Sequence, residues 1–182
     1  MLFKETHMKT YQLQLLNCNN HNIEISRYLQ ILTRIEKEDA DRIVSNVPVV
    51  LYDNLDEECA GYFEEALDYY QAEYEIQPMP EECDIQKFPS RQVIVLGRVM
   101  EYFGQRSDFV QLARKYDFSR KIQLSQTPFA VKDGLNKEQA AKLCQEFTNI
   151  GMRAQIVRSK KKPVPVEEKK KRNVSRRCIL KR

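Results

Sequence analysis

The side chains best suited to chemistry in this chain are two histidines and five cysteines, and their spacing predicts no catalytic or metal site. His21 lies in an Asn-rich stretch that is typical of an exposed turn. A nucleophilic cysteine needs a base and a group that orients the base, and the sequence offers no such set. It has no Cys-x-x-Cys pair and too few glycines for a nucleotide-binding loop. We therefore expect a protein that is not an enzyme and uses no metal or cofactor.

The cysteine count also bears on where the protein works. An odd number of cysteines, none close to another, argues against a disulfide framework and favours a reducing compartment. The chain has no apolar run of about 18 residues, the length that a membrane-spanning helix needs, and its first residues lack the apolar core of a secretion signal. These features predict a cytoplasmic protein without a membrane span.

The elements that would position any functional side chain occur twice. The stretch from Tyr52 to Gln77 and the stretch from Lys132 to Val157 lie eighty residues apart and share one frame of turn, helix and strand, although most letters differ. Pro48 and Pro128 precede them at the same offset. A repeat of this length in 182 residues favours two small domains over one.

Apolar periodicity predicts the same order of elements in each copy. In the first copy these are a strand at 11–17, helices at 23–35 and 38–45, a strand at 49–52, a helix after the N-cap Asp56 and a strand at 72–76. In the second they are a strand at 92–97, helices at 108–116 and 118–125, a strand at 129–132, a helix after the N-cap Asn136 and a strand at 153–157. The pairs Asp53-Asn54 and Asp133-Gly134 are predicted turns, and Gly151 is a predicted helix C-cap.

We therefore expect an α+β protein of two tandem β-α-α-β-α-β domains, each a three-stranded sheet covered by helices. The first domain spans residues 9–77, a linker with prolines spans 78–90, and the second domain spans 91–158. Residues 159–182 lack periodicity and are predicted to be a disordered basic tail.

The apolar frame resembles the C-terminal domain of the bacterial ribosomal stalk protein, whose fold the Clp protease adaptor shares. In the first copy the matching residues are Ala40, Ile43, Val44, Pro48, Leu51, Leu55, Ala60, Leu67 and Ile76. In the second copy they are Pro128, Lys132, Gly134, Ala140, Phe147, Gly151 and Ile156. The resemblance covers about two thirds of the chain, and it implies a binding domain rather than an enzyme.

The resemblance also points to candidate contact residues on one helix. In the stalk domain, lysines on that helix form the face that meets translational GTPases. The aligned residues of the first copy are Glu38 and Asp41, so the charge there is reversed. In the second copy Lys121 matches one lysine, and Phe118 replaces the other. We take Glu38, Asp41 and Lys121 as candidate protein-interaction residues.

A second candidate surface lies on the helix after Asp56. Its acidic residues are typical either of a solvated helix face or of a surface for a basic partner. Tyr62 and Tyr69 are seven residues apart and therefore share one flank of the helix. Because tyrosine is enriched at the centre of interfaces, both are candidate protein-interaction residues.

Charge is divided unequally along the chain. Residues 1–80 carry a net charge of −9, whereas residues 158–182 carry +10. A basic tail neutralises phosphates without reading sequence, binds acidic proteins or anionic lipid, folds back onto the acidic domain, or only keeps the chain in solution. We favour RNA or a ribonucleoprotein as its partner. The predicted anion-binding residues are Lys160, Lys161, Lys162, Lys169, Lys170, Lys171, Arg172, Arg176 and Arg177.

The function predicted from the sequence is therefore a non-enzymatic protein-interaction or scaffolding protein, with a protein partner on the domain surfaces and an anionic partner on the tail. The alternative is an adaptor that delivers a client protein to a larger machine.

Overall fold

The computed structural model describes residues 8–83, 88–118, 124 and 126–163. In these residues the chain is α+β, with two three-stranded antiparallel sheets, as the sequence predicts, and with five of the six predicted helices. The first domain has the order β-α-α-β-α-β, and the second, in its described residues, has the order β-α-β-α-β. The helix predicted at 118–125 lies for the most part outside the described residues.

The first domain consists of β1 (Met8–Asn17), α1 (Asn22–Thr33), α2 (Lys37–Ser45), β2 (Val49–Asp56), α3 (Glu57–Tyr69) and β3 (Glu73–Cys83). The second consists of β4 (Ser90–Arg98), α4 (Gln105–Tyr116), β5 (Phe129–Leu135), α5 (Lys137–Asn149) and β6 (Met152–Ser159). The strand order is β2-β1-β3 in one sheet and β5-β4-β6 in the other. In each sheet, therefore, the first strand of the domain is central and antiparallel to both neighbours.

The predicted helix caps are present in both domains. The side chain of Asp56 accepts a hydrogen bond from the backbone N–H of Cys59, and Asn136 forms a reciprocal capping box with Gln139. Gly151 follows α5 with a φ of 74°, which a residue with a side chain rarely adopts.

The two pairs predicted as turns are instead β-bulges within longer strands. Asn54 and Gly134 have φ values of 58° and 73°, and the register with the central strand shifts beside each of them. A left-handed residue lets two residues of one strand face a single residue of its neighbour, so the strand bends without reversing. The bulges lie eighty residues apart and mark the same point in each domain.

β3 also runs further than the predicted strand at 72–76 and takes in part of the predicted linker. Pro78 pairs with Tyr11 of β1. A proline is tolerated there because β3 is an edge strand, whose outward-facing N–H groups have no partner strand.

The second sheet is covered on both faces, which gives the molecule four layers: sheet, helices, sheet, helices. Val93 and Val95 pack into the core formed with α4 and α5. Ile94 and Leu96 point the opposite way and pack into the core of the first domain, against α1 and α3. All four side chains have no exposed surface, which explains why β4 is a continuous apolar run rather than an alternating one.

Candidate protein-docking surface

The loop between β4 and α4 presents three large apolar side chains to solvent. Val99 is 70% exposed, Met100 is 58% exposed and Phe103 is fully exposed. Tyr102 of the same loop and Val110 of α4 are exposed to a smaller extent. A cluster of exposed apolar side chains of this kind is typical of an interaction site.

Hydrogen bonds hold the backbone of this loop in place. The backbone N–H groups of Val99 and Met100 both donate to the carbonyl of Gly151, at 2.9 and 3.1 Å. The side-chain amide of Gln105, which is almost fully buried, donates to the carbonyls of Met100 and Ile150 at 2.8 and 2.7 Å. The apolar side chains are therefore exposed from a loop whose backbone is ordered.

The absence of a side chain at Gly151 is needed for the packing of this loop as well as for the end of α5. A Cβ built on Gly151 would lie 2.9 Å from the carbonyl oxygen of Met100. The side chains of the loop are tied too, because Tyr102 donates its hydroxyl to Asp108 and Arg98 forms an ion pair with Glu101 at 2.6 Å.

The corresponding loop of the first domain is polar, and its side chains contact other residues of that domain. The side-chain amide of Asn19 donates to the carbonyl of Gln71 at 2.7 Å, and the ring of His21 lies 5.9 Å from that of Tyr70. The first domain has exposed Ile23 at the place of Phe103, but it has Asn19 and Asn20 at the places of Val99 and Met100.

A cleft of about 620 Å³ opens between the two domains beside the apolar loop. Buried Leu96 and Tyr70 lie at its base, and Val99 connects it to the loop. The cations that line it are Arg98 and Arg153. We call Val99, Met100, Phe103 and this cleft the docking surface.

The charged groups at the cleft are paired but remain accessible. Arg153 contacts Glu65 at 2.5 Å, and these side chains are 49% and 34% exposed. His21 lies 3.7 Å from Glu24 on the side that the first domain provides. Exposed pairs of this kind contribute little stability, so their guanidinium groups remain able to bind a further anion.

A more buried cluster fastens the two domains to each other away from the cleft. The guanidinium of Arg158 donates to both carboxylate oxygens of Asp56, at 2.7 and 2.5 Å, and to the Cys59 sulfur. The ring of Phe88 covers the guanidinium at 4.5 Å. Burial by itself raises the pKa of Asp56, but the bonds from Arg158 and from the Cys59 N–H outweigh it, so that the net pKa lies below its usual value.

Cys18, Cys59 and Cys144 are free thiols without the features of a nucleophile. Burial raises the pKa of Cys18, Cys59 and Cys144 alike. A reactive cysteine needs the opposite shift, since only the thiolate attacks. Within the part of the chain that the structure describes, no group of three or more His, Cys, Asp or Glu side chains is placed to hold a metal ion.

The two tyrosines predicted as contact residues lie where α3 meets the second domain. Tyr69 donates its hydroxyl to the carbonyl of Arg98 at 2.8 Å. The carbonyl of Tyr62 accepts the side-chain amide of Gln155 at 2.9 Å, and its hydroxyl donates to Glu58. The surface that these tyrosines contact is therefore the chain's own second sheet.

The other predicted residues are not brought together with the docking surface. Glu38 is exposed on α2, and Asp41 on the same helix accepts the hydroxyl of Ser26 at 2.5 Å. The first predicted anion-binding residues, Lys160, Lys161 and Lys162, are exposed just beyond β6. The remaining predicted residues lie outside the described residues: Lys121, Lys169, Lys170, Lys171, Arg172, Arg176 and Arg177.

The docking surface was not predicted from the sequence. Its signal was the apolar residues of VMEYF (99–103), which fall between a predicted strand and a predicted helix. Apolar residues in a connection have no core to join unless they cover another element or meet a partner. A search for them would have found Val99 and Met100 without giving their exposure.

Comparison with protein-family models and with curated proteins finds no match for this chain. Among the described residues, no helix has both the length and the apolar character needed to cross a membrane.

Proposed function

We propose that this chain is a non-enzymatic protein-interaction or scaffolding protein that binds a partner protein through the docking surface of its second domain. One observation carries the proposal: Val99, Met100 and Phe103 are exposed together from a loop whose backbone is fixed by hydrogen bonds. Binding a partner would remove this apolar area from water. Because the loop is already ordered, little conformational entropy would be lost on binding.

The proposal keeps the basic tail as a second binding element, with RNA or a ribonucleoprotein as its anionic partner. Lys160, Lys161 and Lys162 begin a run that brings residues 158–182 to a net charge of +10. Binding by such a run releases counterions, so its affinity falls steeply as salt rises.

The adaptor alternative is supported by where these two elements lie. Met152 at the start of β6 pairs with Arg98 beside the docking surface, whereas Ser159 at its end pairs with Ser90 and leads to the tail. Eight residues of strand separate the ends by about 25 Å. Two partners would thus fit at once, as an adaptor that joins a client to a larger machine requires.

Affinity capture from a native lysate, with and without nuclease, tests the proposal. The full chain is compared with the double variant Met100→Ser/Phe103→Ser, with a chain lacking residues 164–182, and with Ile23→Ser. Ile23 is the matched control, because it is 70% exposed at the start of α1 in the first domain.

We expect a protein that survives nuclease and is retained by the Ile23→Ser variant, but is lost from the double variant. Proteins that vanish with nuclease should depend on residues 164–182. If the double variant captures the same nuclease-resistant proteins as the unaltered chain, the docking surface is not the binding site and the proposal fails.

A further inference from the structure

We infer that the partner contributes an extended peptide segment that places a large apolar side chain in the cleft and a carboxylate against Arg98 and Arg153. This inference rests on the proposed function and names the chemistry of its partner.

The apolar part of the inference follows from the base and the rim of the cleft. Leu96 and Tyr70 are buried beneath it, and Val99 continues the apolar surface outward to Met100. The cleft holds about 620 Å³, more than one large side chain occupies. It is open to solvent, so a segment of chain can cross it while one side chain enters.

The acidic part follows from the two guanidinium groups. Arg98 and Arg153 are 37% and 49% exposed, and each has a single carboxylate partner near the surface. A planar guanidinium has five donors and binds a carboxylate in a two-pronged geometry. A peptide carboxylate can therefore join these pairs without displacing a buried contact.

The charges around the cleft also limit where that carboxylate can lie. Glu24 stands on the first-domain side, beside His21, whereas both arginines belong to the second domain. A carboxylate would be repelled at the first side and attracted at the second. The peptide should therefore point its acidic residue toward the β4 end and its apolar residue toward the space between the domains.

A peptide fits this surface better than a nucleic acid does. The cleft is lined by two arginines and by the carboxylate of Glu24, whereas a nucleic-acid backbone needs a series of cations for its successive phosphates.

The test is selection of random twelve-residue peptides on the immobilised full chain, followed by fluorescence anisotropy with one enriched, labelled peptide. We expect the enriched peptides to carry Asp or Glu within a few positions of Leu, Ile, Met or Phe. Phe103→Ser and Val99→Ser should each weaken binding by about tenfold or more, the effect of losing an interface anchor.

The charge variants separate this inference from the proposed function. Arg98→Glu and Arg153→Glu should each weaken the peptide by about fivefold, whereas Lys142→Glu, on the exposed side of α5, should leave it unchanged. Enriched peptides that depend on Phe103 but lack acidic residues would overturn the inference and leave the docking surface standing. Enriched peptides whose binding is unaffected by Phe103→Ser and by Val99→Ser would overturn the inference and the proposed function together. Displacement of the labelled peptide by a peptide of residues 164–182 would do the same.

Discussion

The two sheets of this chain share one topology but differ in what covers their outer faces. In the second sheet, Ile94 and Leu96 are completely buried against the helices of the first domain. Eighty residues earlier, Gln14 and Leu16 hold the same places on the outer face of the first sheet, where both are partly or well exposed. On the central strand, an exchange of Ile for Gln thus accompanies the difference between a docked sheet and an open one.

The edge strands strengthen this contrast. On the outer face, β3 presents Glu73, Glu75 and Gln77, all exposed. The equivalent residues of β6 are Arg153, Gln155 and Val157, which contact α3 or join the first core. The sheet of one domain stacks on the helices of the other, which is a head-to-tail contact that can in principle continue without end. The polar face of the first sheet ends the stack, as polar outer faces do in terminal repeats.

The largest expected effect on stability comes from replacing Ile94 of the second sheet with glutamine, the residue type that Gln14 provides at the equivalent place in the first sheet. Ile94→Gln would remove a fully buried apolar side chain and bury an amide without a designed partner, which should cost about 4 kcal/mol of unfolding free energy. Urea unfolding measures the loss, and we expect the single transition to broaden or divide as the domains separate.

Val50→Gln is the matched control for that change. Val50 lies on the open face of the first sheet and is 45% exposed, so its replacement should change stability by less than about 0.5 kcal/mol. Equal losses in the two variants would mean that the outer face of the second sheet is not what holds the domains together.

Gly97→Ala tests the closeness of the contact rather than its polarity. A Cβ on Gly97 would lie 2.2 Å from the hydroxyl of Tyr69, so Tyr69 must move and lose its bond to Arg98. Such overpacking costs about 2 kcal/mol. Hydrogen exchange should show faster opening at the C-terminal end of α3. The first domain has Asn17 at the equivalent place, exposed, and Asn17→Ala should leave the exchange of α3 unchanged.

How much of the fold and of the docking surface could be predicted from the sequence depends on how far apart in the chain the interacting residues lie. Helix caps such as Asp56 and Asn136 depend on residues within one turn of the helix, so the local sequence pattern predicts them. The strand character of β4 was also readable, since Val93 to Leu96 is an unbroken apolar run. That the run is covered on both faces depends on α1 and α3, which lie at least twenty residues earlier in the chain and leave no mark in its periodicity.

The turn that was predicted wrongly and the contacts that the sequence does not reveal have the same origin. Asp133-Gly134 has the composition of a turn, and only its pairing with β4 makes it a bulge. Tyr62 and Tyr69 have the composition of an interface, but their type cannot say that the other side is the chain's own sheet. Phe103 shows the converse, because its exposure is decided by the hydrogen bonds that hold the loop away from the core.

The two N-caps, Asp56 and Asn136, differ in charge. Exchanging their residue types should have a smaller effect on the unfolding free energy, and this effect should depend on pH. Asp56→Asn would copy the cap of the second domain and keep an oxygen for Cys59 and Arg158, but would remove the charge opposite the buried guanidinium. We expect a loss of about 1 kcal/mol at pH 7. The folded-state pKa of Asp56 is lowered, so its contribution is complete above the unfolded value of about 4 and is lost as pH falls through the folded pKa.

The difference in unfolding free energy between the unaltered chain and Asp56→Asn should therefore be constant from pH 7 to 5 and shrink toward pH 3. Urea unfolding at these pH values measures it. The reverse exchange, Asn136→Asp, places a charge on an exposed cap without a facing arginine and should gain a few tenths of a kcal/mol at most. A difference that grows on acidification would show that Asp56 does not carry the charge of this contact.

The smallest expected effect on stability comes from giving the first sheet the residue of the second. Gln14→Ile changes a partly exposed position and should alter the unfolding free energy by less than about 0.5 kcal/mol. It would place an isoleucine beside Leu16 and Val50, so that the open face approaches the apolar character of the docked one. If the polar face is what ends the stack, the variant should self-associate in sedimentation at concentrations where the unaltered chain does not.

The helices of the second domain would have to receive that face, and α5 carries Lys142 where α3 carries Tyr62. Adding Lys142→Tyr to Gln14→Ile should therefore strengthen association further, whereas a monomeric double variant would mean that the polar face alone does not set the length of the stack.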